Sequence, residues 1–173
     1  TFGRFPVLYN DVESFIHLDM VFTFVDRNVC LVYNPLLNRK NRFQTFLVQV
    51  SNGEVINIEQ IDSFTKALKI CGLDLDFISC GGVEPTNQER EQWHSGANFF
   101  SIGEGKIIGY SRNKHTLEVL NKNGFSIIEA KDAINDLNSI STLHSKIAIT
   151  IEGSELSRGG GGCRCMTLPL LRD

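Results

Sequence analysis

Four consecutive glycines, Gly159 to Gly162, run directly into Cys163-Arg164-Cys165-Met166-Thr167-Leu168 near the end of the chain. No other stretch constrains the fold as much. Glycine has no Cβ, reaches backbone conformations closed to other residues and lets the main chain approach a neighbour closely. Ordering four in succession is entropically unfavourable, so a folded chain that keeps them ordered uses them. Met166-Thr167-Leu168 reads as a short buried strand, which puts Cys165 at a loop-to-strand junction. Arg164 beside it and Arg158 upstream supply positive charge that stabilises a thiolate. That is the setting of a nucleophile, although free cysteine is more often a small buried hydrophobe and glycine runs are more often linkers.

A second segment adds chemistry. In Phe15-Ile16-His17-Leu18-Asp19-Met20-Val21-Phe22-Thr23, His17 and Asp19 are two apart, and on an extended chain such residues share one face. An imidazole and a carboxylate then project together from the start of a strand over residues 20–25. Spacing alone favours a surface His and Asp on a half-buried strand.

The rest of the chain reads as α/β. Strands are expected at 29–33, 46–50 and 55–58, the last two joined by Ser51-Asn52-Gly53, a hairpin turn signal. Apolar residues at 61, 64, 67 and 68 recur at helical spacing, predicting a helix over 59–70 that Gly72 terminates. A buried strand at 77–79, a helical turn at 85–91 and a hairpin of 98–102 with 106–110 follow. Then come a helix at 116–121, a strand at 125–129, a helix at 131–137 and a strand at 146–151. Trp93 is expected in a core or packing position, and Gly96 and Asn98 in a turn leading into the next strand.

Composition excludes several classes. Hydrophobic residues at 42% and charged residues at 21% exclude wholesale disorder. A net charge of -3 with scattered Lys and Arg argues against a nucleic-acid partner. No apolar run approaches the roughly 18 residues of a membrane span. The five cysteines are odd in number and sit in apolar contexts, which suits free thiols and a reducing, cytoplasmic setting. Cys163-Arg164-Cys165 lacks a second Cys or His pair at zinc spacing, so neither metal nor other cofactor is expected.

Taken together, three motifs resemble the arginine deiminase family. His17-Leu18-Asp19-Met20-Val21-Phe22-Thr23 is similar to its His-containing motif, and Arg90-Glu91-Gln92-Trp93-His94-Ser95-Gly96-Ala97-Asn98 to its Arg-Glu-Gln-Trp segment. Ser154-Glu155-Leu156-Ser157-Arg158 through Cys165-Met166-Thr167-Leu168-Pro169-Leu170 is similar to its nucleophile motif. Tyr110-Ser111-Arg112-Asn113 fits the connecting strand. The motifs stand in the family's order and span nearly the whole chain.

The resemblance implies part of a five-bladed αβ propeller, the pentein fold, built from repeated ββαβ units. It implies hydrolysis of L-arginine to L-citrulline and ammonia, with Cys165, His17 and Asp19 catalytic and Asp19 and Arg158 binding substrate. Family members are considerably longer. Residues 1–173 are therefore expected to be the C-terminal portion of one catalytic domain, lacking an N-terminal half that supplies further substrate-binding groups. The partners implied are L-arginine, that missing half and a possible second copy, with no nucleic acid and no membrane. Two departures stand out: Gly160 replaces a second basic residue common in the family's glycine loop, and Cys163 is an unexpected thiol. Two other readings stay open, an amidinotransferase of the same superfamily and a truncated, non-catalytic homologue that acts by association.

Overall fold

The computed structural model describes residues 17–37, 44–168 and 170. After a 3-10 turn over Leu18–Met20 come β1 (Phe22–Asp26), β2 (Val29–Val32), the short α1 (Asn34–Leu37), β3 (Thr45–Ser51), β4 (Glu54–Ile61), α2 (Phe64–Ile70) and β5 (Asp76–Ser79). The second half holds α3 (Pro85–Trp93), β6 (Phe100–Gly103), β7 (Lys106–Tyr110), α4 (Lys114–Lys122), β8 (Ser126–Glu129), α5 (Ala130–Leu143) and β9 (Ile147–Ile151). A 3-10 turn over Leu156–Gly159 follows.

The strands form three sheets, ordered β1-β2-β5, β3-β4 and β6-β7-β9-β8. The first and last share a construction. An antiparallel pair (β1 with β2, β6 with β7) is followed by a crossover to a strand parallel to its second member. In the first unit β5 is that strand and α2 lies on the crossover. In the second β9 is that strand, and β8 extends the sheet beyond it. The β3–β4 hairpin interrupts the first unit between β2 and its helix.

Central strands carry the core. Val29-Cys30-Leu31-Val32 and Ile147-Ala148-Ile149 are continuous apolar runs, as strands covered on both faces must be. Val25, Leu31 and Ile78 from the first sheet pack with Phe99, Ile107, Leu117, Leu120, Phe125 and Ala148 from the second half, so one core joins the two sheets. A separate cluster around Met20, Val21, Phe22, Cys30, Val32, Leu68 and Leu75 seats the turn that carries Asp19.

An ion pair joins the same sheets at their rim. Lys146 Nζ, just before β9, lies 2.8 Å from Asp26 Oδ2 at the end of β1, and the ammonium also sits 5.5 Å above the Phe125 ring. Burial by itself would raise the Asp26 carboxyl, but the hydrogen bond from Lys146, the Arg27 amide and both cations outweigh it and leave the pKa lowered. A lowered folded pKa contributes stability that is fully present above the ordinary value of 3.8 and is lost as pH falls through the folded value. Asp26→Asn is therefore expected to cost about 1 kcal/mol near neutrality, measured by urea unfolding. The difference from wild type should vanish in strong acid; an unchanged midpoint at neutral pH would show that the pair is not a clamp.

Several sequence expectations differ from the structure. Residues 59–61 belong to β4, because the ladder with β3 runs to the Thr45–Ile61 pair. The helix starts at Phe64, where the Ser63 hydroxyl accepts from Lys66 N at 3.2 Å. The helix expected over 131–137 extends through Leu143. Trp93 is half exposed instead of packed. Residues 166–168 form no strand: Cys163–Met166 is a turn, closed by Met166 N to Gly162 O at 3.2 Å, and Met166 and Leu168 are exposed. Apolar composition suggested burial there, but among the described residues no strand stands beside them to complete a ladder.

Candidate active site around Asp19 and Cys165

Asp19 lies within the 3-10 turn Leu18–Met20, one side of which is anchored by the buried Met20. His17 precedes that turn with extended backbone, φ -135 and ψ 151. The two residues are thus not neighbours on one strand face, since the turn rotates Asp19 away from the alternation that an extended chain would impose. The Asp19 carbonyl accepts from Thr23 Oγ1 at 3.2 Å and from Asn98 Nδ2 at 3.0 Å.

Asn98 is the junction of the site. It is buried at 1% exposure, and its Oδ1 accepts from the main-chain N–H groups of Arg164 at 3.1 Å and Cys165 at 3.2 Å. One amide side chain therefore holds the Asp19 turn with its donor and the Cys165 turn with its acceptor. The glycines make room for it. A Cβ on Gly162 would meet Asn98 atoms at 2.6–2.7 Å, and one on Gly161 would meet Cys165 Cβ at 2.8 Å. Gly161 also has φ +97, a conformation unfavourable to any other residue. A Cβ on Gly159 or Gly160 would meet nothing within 4 Å, although Gly160, at φ +77, shares the left-handed backbone of Gly161.

This bracing sets Cys165 Sγ 3.9 Å from Asp19 Oδ2 and 3.9 Å from Met20 Sδ, although Cys165 and Asp19 are 146 positions apart in sequence. Arg164 Nε stands 3.5 Å from the same Oδ2. The second carboxylate oxygen, Oδ1, is buried and has no hydrogen-bond partner among the described residues. Such an atom is uncommon in folded proteins, where buried acceptors nearly always find a donor.

The other predicted residues sit differently. The His17 side chain is exposed, and among the described residues no hydrogen bond or ion pair joins it to Cys165 or Asp19. Arg158 lies on the exposed 3-10 turn and pairs with Glu155 at 3.0 Å, so Arg164 is the cation at Asp19. Cys165 is exposed, whereas Cys163 is buried and burial pushes its thiol up to about 12. All five cysteines are free.

A buried polar layer supports the site. The Glu91 carboxylate accepts from His115 N, Thr116 N and Thr116 Oγ1 at 2.7–2.8 Å, stabilising the N-terminus of α4 with negative charge. Arg112 Nη1 donates to Ser154 O at 3.1 Å and Ser157 Oγ at 2.9 Å, tethering the turn before the glycine run. Its Nη2 is 3.1 Å from His94 Nε2. A guanidinium only donates, so that nitrogen accepts and the ring is neutral. Burial first, then the Arg112 and Arg90 charges, hold the His94 pKa low. The Tyr110 hydroxyl is buried with no partner among the described residues, and burial, then the charges of Cys163 and Cys165, push its pKa up.

Reading residues one segment at a time undervalued Asn98 and Glu91. The sequence implies a turn at Asn98, and its position eight residues after Arg90 in the Arg-Glu-Gln-Trp segment is the signal for a role at the site. A buried amide joining two remote turns has no local sequence mark.

Among the described residues no group of three His, Cys, Asp or Glu is placed to hold a metal ion, and no helix is long and apolar enough to cross a membrane.

Comparison with known proteins gives the family. The sequence profile described as arginine deiminase matches residues 6–172. The arginine deiminase of Lactococcus lactis subsp. lactis is 32% identical over 163 residues, covering 93% of this chain and 35% of that protein. That of Treponema denticola is 33% identical over 165 residues, covering 94% and 35%. That of Clostridium perfringens is 34% identical over 162 residues, covering 93% and 34%. The chain spans about a third of the length of the curated relatives it matches. With the matched region reaching from one end of the described structure to the other, the chain belongs to the arginine deiminase family.

Proposed function

We propose that this chain is the nucleophile-bearing, C-terminal part of an enzyme that hydrolyses L-arginine to L-citrulline and ammonia. The observation that carries the reading is the Asp19 carboxylate, whose Oδ2 lies 3.9 Å from an exposed thiol and whose buried Oδ1 has no hydrogen-bond partner among the described residues. An open carboxylate acceptor next to a nucleophile suits a cationic N–H donor whose central carbon is to be attacked, and a guanidinium is such a group. Asp19 grips the guanidinium. The Cys165 thiolate attacks its carbon, the side chain best suited to that poor electrophile at neutral pH. The tetrahedral adduct expels ammonia, protonated by His17, and leaves arginine, less ammonia, bonded to sulfur. His17 then takes a proton from water, which attacks the same carbon and releases citrulline and the thiolate. Arg158 contributes to substrate binding once its loop meets the bound ligand. No cofactor enters these steps.

Two further elements belong to this reading. The paired strand–strand–helix–strand units are two blades of a five-bladed αβ propeller, and the repeated antiparallel-then-parallel construction of the two larger sheets supports it. The remaining blades, and the groups that hold the substrate carboxylate, lie in the part of the family's length that this chain does not span. The 173 residues alone are therefore expected to be inactive. The five free thiols suit a reducing, cytoplasmic setting.

The test is a quench experiment on the complete gene product. Mixing with arginine and quenching in acid should give a Cys165 peptide heavier by arginine less ammonia, and free citrulline should appear in the same reaction. His17→Ala should abolish turnover. Citrulline production without His17, or an adduct confined to Cys163, would sink the assignment. A Cys165 adduct of the amidino group alone, formed with release of the amino-acid amine in place of ammonia and passed on to an added amine, would reassign the reaction to amidino transfer.

A further inference from the structure

The β3–β4 hairpin has two edges of very different character. β4 carries Glu54 and Glu59, and its ladder contains a bulge: Gln49 pairs with Asn57 and Val50 with Val55, leaving Ile56 as the extra residue. Charge and bulges are the devices that keep a strand edge from pairing with another chain. β3, Thr45-Phe46-Leu47-Val48-Gln49-Val50-Ser51, has no charged residue, no proline and no extra residue. Among the described residues no strand covers either edge. A two-stranded ribbon is marginal by itself in water, yet this one is seven and eight residues long and largely exposed.

Register and alternation put Phe46, Val48, Val50, Val55 and Ile58 on one face. All five are exposed, from 38% for Val48 to 62% for Ile58. Within β3 the apolar residues Phe46 and Val50 flank Val48 symmetrically.

We propose that β3 pairs antiparallel with β3 of a second copy of this chain about a two-fold axis at Val48, making one four-stranded sheet. Phe46 then lies opposite Val50 of the second copy, Leu47 opposite Gln49, and Val48 opposite Val48. Apolar cross-strand pairs of this kind stabilise a ladder, and no like charges face each other. The contact is isologous and therefore closes at two copies. A second copy fits better than an unrelated strand because the sequence of β3 complements itself about its centre. The proposal does not depend on the catalytic reading.

The test uses the complete gene product, with sedimentation velocity and amide hydrogen exchange at low and high protein concentration. A dimer is expected, with exchange over residues 45–51 slowed as it forms and residues 54–61 little changed. Val48→Lys sets two ammonium groups opposite one another and should weaken the dimer by about tenfold or more. Ile58→Lys, on the same face but on β4, should leave it intact. A protein monomeric at every concentration would overturn the proposal. So would a dimer in which exchange over 45–51 is unchanged, or one broken by Ile58→Lys but not by Val48→Lys, which indicates packing of faces. Protection of 45–51 that ignores dilution would overturn it too, showing the edge covered by the protein's own chain.

Discussion

Cys165→Ala in the complete gene product is expected to lower citrulline formation by about four orders of magnitude or more, because no other group replaces a covalent nucleophile. Cys163→Ala should retain most of the activity. The two thiols are two residues apart, so the contrast rests on environment. Cys163 is buried, and its pKa is pushed up to about 12, so it stays protonated near neutrality. Cys165 is exposed and faces the Asp19 carboxylate at 3.9 Å. Iodoacetamide on the native protein should label Cys165 and the exposed Cys71 while sparing Cys30, Cys80 and Cys163. A variant lacking Cys163 that loses all turnover while one lacking Cys165 keeps it would reverse the assignment.

Asn98→Ala should have the second-largest effect. It deletes the donor to Asp19 O and the acceptor for Arg164 N and Cys165 N in one step. Two main-chain N–H groups are then left without that acceptor, with an expected cost of about 3 kcal/mol of stability. The two turns lose their common anchor, and misplacement of about an ångström between reacting groups costs about a hundredfold in rate. Asn98→Asp is the informative companion, since it keeps an acceptor for both N–H groups but replaces the donor to Asp19 O with a buried carboxylate oxygen that repels it. Thermal unfolding and citrulline kinetics together decide the matter. If Asn98→Ala matched wild type in both, the bridge would be incidental. Gly162→Ala should mimic Asn98→Ala, because its Cβ would overlap Asn98, while Gly159→Ala should be nearly silent.

That difference among four adjacent glycines measures how far sequence reading reaches. Their run marked the loop, and Cys165 beside them marked the thiol. Two of the four are required by close packing, and which two depends on where Asn98 and Cys165 stand. The motif order from His17 to Cys165 likewise identified the family, because each motif is a local string of residue types. Strand and helix assignments succeeded where one periodicity ran unbroken, as in β2, β7 and β9, and failed where two met. Residues 59–61 satisfy both the end of a strand and the start of a helical pattern, and only the pairing of Ile61 with Thr45 decides between them. Met166-Thr167-Leu168 looks like a strand by composition, but a strand needs a neighbour to bond, and the structure supplies a turn.

The chain by itself determined the family, the α/β class, the candidate thiol and the candidate carboxylate. These follow from residue identity and local order, which one-dimensional patterns record. Tertiary structure alone decided that Asp19 is presented by a 3-10 turn, not a strand face, and that Asn98 brings it to Cys165. It also decided that Arg164 stands at the carboxylate while Arg158 pairs with Glu155, and that one of two neighbouring thiols is buried. Each depends on contacts between segments far apart in sequence, and hydrogen bonds, burial and charge pairing act through space whatever the separation along the chain.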